Sequence, residues 1–103
     1  MIQRVVLCKL HPAYVDELQA VQWHTAEVLA QAPGVRGLEV GAPSDPRTRR
    51  EWDFAILIRF DDMEAVEAYR AHEIHRKYYE LYLKPMLDKI RVYNFEVPVG
   101  AAP

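Results

Sequence analysis

The sequence has little cysteine, no long apolar run and no signal peptide, the features that are typical of secreted and membrane proteins. It has one cysteine, Cys8, so no disulfide can form within the chain. No apolar run approaches the length of a membrane span, and the N-terminus MIQRVVLCKL lacks the apolar core and cleavage site of a signal peptide. We therefore expect a cytoplasmic protein with no membrane partner.

The sequence also lacks a dominant sign of charge, with 13 basic residues against 15 acidic ones. Such a balance produces no long-range field for nucleic acid, so we expect no nucleic-acid partner. The composition is that of an ordinary globular protein, 50% apolar and 27% charged over 103 residues. We predict one domain at residues 1–97 and a disordered tail of small residues at 98–103.

Hydrophobic periodicity predicts four strands and two helices in the order βαββαβ. The strands are expected at residues 2–10, 35–41, 51–60 and 89–97, and the helices at 14–31 and from a cap at Asp61 or Asp62 to about residue 84. Residues 42–50 are expected to form a loop or a hairpin connection. This order is typical of the ferredoxin-like α+β fold, an antiparallel four-stranded sheet with both helices on one face.

The other face of this sheet is expected to need a partner. Residues 2–10 and 51–60 carry apolar side chains at both odd and even positions, and side chains alternate between the two faces of a sheet. Because the helices cover only one face, we predict a homodimer joined through the second.

Histidine and tyrosine are concentrated in residues 68–79, AYRAHEIHRKYY. An imidazole titrates near neutral pH, and a phenol stays protonated and can donate a hydrogen bond to a carbonyl. This combination suits proton transfer beside a carbonyl. The alternative is a half-buried helix face of tyrosines with the histidines at its polar edge.

Several segments, in this order, resemble the stress-responsive dimeric α/β barrel (Dabb) family. They are IQRVVLCKL, PGVRGLEVG, WDFAILIRFDDMEAVEAY, AHEIH, LKPMLDK and the final VYNFEV. The resemblance covers residues 2–97. It implies a ferredoxin-like protomer whose sheet pairs back to back with a second copy across a two-fold axis.

The polyketide cyclases of this family, related to olivetolic acid cyclase, imply a cofactor-free site between sheet and helices for intramolecular aldol condensation. The resemblance places the catalytic histidine at His75 and the catalytic tyrosine at Tyr69. The proline of the family's HPAH motif is absent from His72-Glu73-Ile74-His75. Pocket residues of the cyclases also differ: histidines fall on Arg4 and Phe54, and a tyrosine falls near Thr25.

In this reading His75 removes a proton beside a carbonyl and later returns it, and Tyr69 donates to the developing oxyanion. Arg4 would hold an anionic group of the substrate. Tyr69 and His75 lie six positions apart, which leaves them roughly 120° apart on a straight helix. They converge only if the helix breaks between them.

The remaining site predictions concern aromatic residues and His72. Aromatic side chains are expected to line the pocket wall: Phe54, Trp23, Tyr78, Trp52 and Tyr82. His72 either shares the pocket as a substrate-binding residue or caps the end of the preceding helix. No further ligands accompany His72 and His75, so we expect no metal site, and the resemblance to the cyclases implies that no cofactor is used.

Two other functions stay open. A related group of dimeric α/β barrels comprises cofactor-independent oxygenases, for which Trp23, Trp52 and Asn94 are the candidate pocket residues. Alternatively, the protein is a non-catalytic binding or stress-response dimer with a vestigial pocket.

Overall fold

The computed structural model describes residues 1–98. The tail predicted at 98–103 therefore lies outside the described residues except for Pro98. None of the helices in this part of the chain is long and apolar enough to cross a membrane.

The sheet has the predicted ferredoxin-like topology, with strand order β2-β3-β1-β4 and every neighbouring pair antiparallel. The strands are β1 (Ile2–Leu10), β2 (Gly37–Gly41), β3 (Phe54–Phe60) and β4 (Leu87–Glu96). β1 and β3 occupy the two central positions of the sheet, and their helix-facing side chains are buried.

The first helical segment begins earlier than predicted. A 3-10 helix at Pro12–Glu17 precedes α1 (Leu18–Leu29), because Pro12 presets a helical backbone angle directly after the strand. α1 turns Val21, Thr25 and Leu29 toward the sheet. These residues recur every four positions, as the apolar stripe of a surface helix requires.

The connection between β2 and β3 was predicted to be a loop or a hairpin connection. It instead contains the short helix α2 (Pro46–Glu51). The carboxylate of Asp45 accepts a hydrogen bond from the backbone N–H of Thr48, and Pro46 occupies the first turn. Both are helix-start signals, which the prediction of a loop overlooked.

The second helical segment is broken, where a single helix to about residue 84 was predicted. It consists of α3 (Met63–Ala71), α4 (Glu73–Lys77), a π-helix at Tyr78–Leu83 and a 3-10 turn at Lys84–Met86. The break is at His72, whose backbone is extended. Its Nδ1 accepts a hydrogen bond of 3.1 Å from the backbone N–H of Ile74. His72 therefore caps both helices: its side chain caps α4, and its backbone N–H donates a hydrogen bond of 3.1 Å to the carbonyl oxygen of Tyr69 at the end of α3.

The two faces of the sheet differ in how well they are covered. The helix-facing side chains of β1 and β3 are buried in the core: Ile2, Arg4, Val6, Cys8, Leu10, Phe54, Ile56, Ile58 and Phe60. On the opposite face Val5 and Leu57 are only half-buried, and Tyr93 and Phe95 are 48% and 55% exposed. One chain thus leaves an apolar sheet face without a covering layer.

Candidate functional site

A cavity of about 380 Å³ lies between the helix-facing side of the sheet and the broken helical segment. Arg4 and Val6 of β1, with Ile56 and Ile58 of β3, form its floor. Its other lining residues come from the helices and β4: Leu29, Tyr69, Arg70, His75, Arg76, Tyr78, Tyr79, Glu80, Leu83, Ile90 and Val92.

Tyr69 and His75 meet at this cavity. Tyr69, near the end of α3, is 2% exposed and packs on Phe60 with ring centroids 4.9 Å apart. The ring of His75 lies 4.7 Å from that of Tyr69, centroid to centroid. The change of direction at His72 supplies the break that the sequence required for these two residues to converge.

His75 has the protonation state of a general base. Its Nδ1 lies 3.2 Å from the carbonyl oxygen of Arg70, and because a carbonyl only accepts, Nδ1 of the neutral ring carries the hydrogen. The Nε2 lone pair is then free. Burial lowers the pKa of His75, and the positive charge of Arg4 lowers it further, whereas the hydrogen bond to Arg70 acts the other way. The ring is therefore neutral at pH 7.

Tyr69 has the protonation state of a hydrogen-bond donor. Burial raises the pKa of its phenol to about 12, although the charge of Arg4 opposes this shift. Tyr69 lines the cavity, and its phenol stays protonated at neutral pH. It is therefore available to donate to a group inside the cavity.

Arg4 is a buried cation at the cavity floor. The residue is 7% exposed, and its Nη1 donates a hydrogen bond of 3.1 Å to Oδ1 of Asn94 on β4. No carboxylate in the described part of the chain lies within ion-pair distance of the guanidinium. Burial lowers the pKa of Arg4. A guanidinium nevertheless stays charged in proteins.

The rest of the buried lining is apolar or aromatic. Tyr78 is 5% exposed and faces the cavity, but its hydroxyl is hydrogen-bonded to Oγ1 of Thr25 on α1. Burial raises the pKa of Tyr78, so its hydroxyl also stays protonated. Tyr78 therefore contributes a fixed ring surface to the wall.

The sequence profile of the Stress responsive A/B Barrel Domain, Dabb, matches residues 2–97. The chain belongs to the Dabb family. It is similar in structure to a Dabb family protein from Mesorhizobium loti, with a TM-score of 0.80 and 22% identity over 96% of this chain and 97% of that one. No functionally curated protein matches the sequence.

Two further similar structures bear on assembly and activity. A dimeric protein of unknown function from Bacteroides fragilis has a TM-score of 0.75 and 24% identity, covering 93% of this chain and 95% of that one. A protein described as an antibiotic biosynthesis monooxygenase has a TM-score of 0.73 and 14% identity over 95% of this chain and 99% of that one. At these identities the likeness establishes the fold alone.

Two of the predicted wall residues of this Dabb protein do not line the cavity, which corrects the sequence-based prediction. Trp23 is 75% exposed, because it lies on the side of α1 opposite Val21 and Leu29. Phe54 is buried but pairs with Cys8, beyond the floor formed by the Arg4 to Ile58 and Val6 to Ile56 pairs.

Three more candidates have other contacts outside the cavity. His72 caps α4 instead of lining the cavity. The ring of Trp52 lies 4.5 Å from Nζ of Lys89, and Tyr82 packs against His24 with ring centroids 4.1 Å apart. None of the three is among the cavity residues.

The sequence-based reasoning missed Arg76, Tyr79 and Glu80 as cavity residues. Tyr79 and Glu80 lie in the π-helix, whose wider turn displaces side chains from the 3.6-residue period. A helical periodicity of 3.6 residues therefore contained no signal for Tyr79 and Glu80.

Residues 1–98 contain no group of three or more His, Cys, Asp or Glu side chains able to hold a metal ion. Of the pair considered from the sequence, His72 uses Nδ1 as a helix cap and His75 uses Nδ1 toward Arg70.

Proposed function

We propose that this Dabb protein is a cofactor-free enzyme of cyclase, lyase or isomerase type that moves a proton beside a carbonyl of a small keto or aromatic substrate. The observation that carries the proposal is the pairing of a neutral imidazole, His75, with a protonated phenol, Tyr69, in the lining of one cavity. The centroids of the two rings are 4.7 Å apart. A base and an oxyanion donor with these protonation states are the two groups that enolisation requires.

The proposed reaction begins when Nε2 of His75 takes a proton from the carbon next to the carbonyl. The electrons of the broken C–H bond form an enolate, whose oxygen accepts a hydrogen bond from Tyr69. In an isomerase, protonated His75 returns the proton at a different atom. In a cyclase, the enolate carbon attacks a second carbonyl of the same substrate, and His75 protonates the new alkoxide.

Exchange of carbon-bound hydrogen in D₂O, followed by proton NMR, tests the proposal without knowledge of the natural substrate. Phenylacetone and phenylpyruvate are suitable probes because each has a ring and an enolisable carbon. We expect His75→Asn to lower the protein-catalysed rate at least about 100-fold and Tyr69→Phe to lower it about 100-fold.

The matched control for this experiment is His11→Asn. His11 is an exposed imidazole at the end of β1 and does not line the cavity, so its removal should not change the exchange rate. An exchange rate that is the same in His75→Asn and in the wild type would contradict the proposal.

A cofactor-independent oxygenase is the second candidate, favoured by the structural similarity to the antibiotic biosynthesis monooxygenase. Its candidate residues Trp23 and Trp52 do not line the cavity, and Asn94 is hydrogen-bonded to Arg4. Oxygen consumption with a quinol substrate distinguishes this candidate, because proton transfer consumes no oxygen.

We further propose that the protein forms a homodimer through the outer sheet face, where Val5, Leu57, Tyr93 and Phe95 lie. The dimeric structure from Bacteroides fragilis supports this assembly. A cytoplasmic location is also part of the proposal, and it rests on the single buried thiol of Cys8. If the protein is a non-catalytic stress-response dimer instead, this face and not the cavity carries its function.

A further inference from the structure

Arg4 is a buried charge without a counter-ion from a nearby acidic side chain. Its one hydrogen-bond partner, Asn94, is neutral, and no acidic side chain among residues 1–98 forms an ion pair with it. A guanidinium has five N–H donors, and burying a charge without a counter-ion is unfavourable. An apolar side chain of similar length would suit this position in the sheet better for stability alone.

The cavity floor is the place where the charge of Arg4 can be used. Its neighbours there are the apolar side chains of Val6, Ile56 and Ile58. No fully buried side-chain nitrogen in the described residues lacks a hydrogen-bond partner, so any N–H group of Arg4 that no protein atom accepts is open to solvent or to a ligand. An anion inside the cavity would accept from such a group.

Arg4 also lies close to the two proposed catalytic side chains. Burial is the largest cause of the lowered pKa of His75, and the positive charge of Arg4 lowers this pKa further. Burial raises the pKa of Tyr69, and the charge of Arg4 opposes that rise. Because Arg4, Tyr69 and His75 line one cavity, a substrate anion on Arg4 would share that cavity with the reacting carbonyl.

A carboxylate fits this position better than a phosphate. The planar guanidinium matches the two oxygens of a carboxylate. A phosphate would bring more negative charge, yet Arg4 is the only buried cation on the cavity within the described chain. The cations Arg70 and Arg76 are exposed.

We propose that the substrate is a keto acid: its carboxylate binds Arg4, its carbonyl oxygen lies at Tyr69, and its apolar body packs against Ile56 and Leu83. The position of the carbonyl rests on the proposed function, whereas the binding of the carboxylate does not. When the C–H bond breaks, the enolate adds a second negative charge near the carboxylate. Arg4 offsets the repulsion between the two charges.

Isothermal titration calorimetry with four probes tests the binding of the carboxylate. Phenylpyruvate has both a ketone and a carboxylate, phenylacetone has only the ketone, 3-phenylpropanoate has only the carboxylate, and inorganic phosphate is an anion without an apolar body. We expect phenylpyruvate to bind most tightly and 3-phenylpropanoate to bind more tightly than phenylacetone. Phosphate should bind weakly or not at all.

Arg4→Met keeps the apolar length of the side chain and removes its charge. We expect it to weaken phenylpyruvate binding on the order of 10- to 100-fold, as for the loss of a charged hydrogen bond, and to leave phenylacetone binding unchanged. Arg4→Lys should restore part of the affinity because it keeps the charge without the planar fork. Arg50→Met is the matched control, because it removes the same charge from an exposed position outside the cavity.

Thermal unfolding of the same variants shows whether Arg4 is structural. We expect Arg4→Met to have a melting temperature equal to or above that of the wild type. A clear fall in melting temperature, or an affinity for phenylpyruvate that is the same in Arg4→Met and in the wild type, would overturn the inference.

The same titrations in His75→Asn separate this inference from the proposed function, since binding needs no turnover. Binding of phenylpyruvate that depends on Arg4, without hydrogen exchange in the wild type, would support the carboxylate site and contradict the proposed catalysis. Exchange that depends on His75 but proceeds equally in Arg4→Met would support the catalysis and overturn the carboxylate site.

Discussion

His75 combines a fixed tautomer with a lowered pKa, and both follow from its immediate neighbours. The carbonyl of Arg70 holds the hydrogen on Nδ1, while burial and the charge of Arg4 disfavour the imidazolium and so lower the pKa of His75. Because catalysis by this base needs the neutral ring, the rate should fall only when the pH falls below its usual titration range.

The pKa of His75 should therefore be below about 6.5, the usual value of an exposed histidine. In Arg4→Met we expect the pKa to rise but to stay below that value, because burial, the larger cause, persists. NMR titration of the His75 Hε1 resonance measures both. A pKa that does not change in Arg4→Met would contradict the proximity of the two groups.

The same shift has a consequence for stability with a definite sign. The unfolded chain has the higher His75 pKa, so it binds more protons than the folded chain between the two pKa values. The free energy of unfolding should accordingly decrease as the pH falls from about 6.5 to the folded pKa of His75. Comparison of wild type with His75→Asn by urea denaturation across this range isolates the contribution.

At the scale of single residues, four of the sequence-derived site residues meet at one cavity: Arg4, Tyr69, His75 and Tyr78. Strand alternation predicts the direction of Arg4, because it shares a face with the apolar residues of β1. The sequence could not show whether Trp23 lies on a pocket wall or on the exposed side of α1. A large apolar ring occurs in both places, so the residue type does not distinguish them.

The elements show where sequence patterns lose their information. The period-two pattern predicted four strands to within about three residues, and the Asp62 cap predicted the start of α3. The interruption at His72 has no proline or glycine to signal it. It depends on a side-chain hydrogen bond to the backbone, which a pattern of apolar residues does not contain.

The cap at His72 gives a prediction for this break. His72→Ala removes the acceptor for the Ile74 N–H and should cost about 1 kcal/mol of unfolding free energy, as for other N-caps. His72→Asn should cost less, because asparagine is among the preferred caps. Urea denaturation measures both.

The consequence of the break for the site can be read from the same pair of variants. Because His72 orients α4, His72→Ala should weaken hydrogen exchange that depends on His75, and His72→Asn should retain it. If both variants lose activity equally while their stabilities differ, the imidazole of His72 acts on the substrate directly, and the cap stabilises the fold without accounting for the activity.

At the scale of the whole molecule, each layer of the protomer has one role. The helical layer closes the cavity against one side of the sheet, and the other side presents Val5, Leu57, Tyr93 and Phe95. The alternation of apolar side chains predicted this uncovered face, because it depends only on strand direction and helix placement. The cavity could not be predicted, since its volume depends on how far the helices stand from the sheet.

Leu57→Glu should separate the two chains of the proposed dimer, because it places a charge beside Val5 at the centre of the outer face. Sedimentation velocity should give one mass for the wild type and half of it for the variant. Ala68→Glu adds the same charge at an exposed position of α3 and should leave the mass unchanged. A monomeric wild type would contradict the assembly.

The Leu57→Glu monomer also distinguishes a catalytic cavity from a non-catalytic dimer. A single chain forms this cavity, so the monomer should bind phenylpyruvate with an affinity within about threefold of the wild type, a difference of less than 1 kcal/mol, and should keep its dependence on His75. In a cell-based stress assay, a catalytic role predicts that His75→Asn abolishes protection. A protective effect that survives His75→Asn but disappears in Leu57→Glu would instead assign the function to the dimer surface.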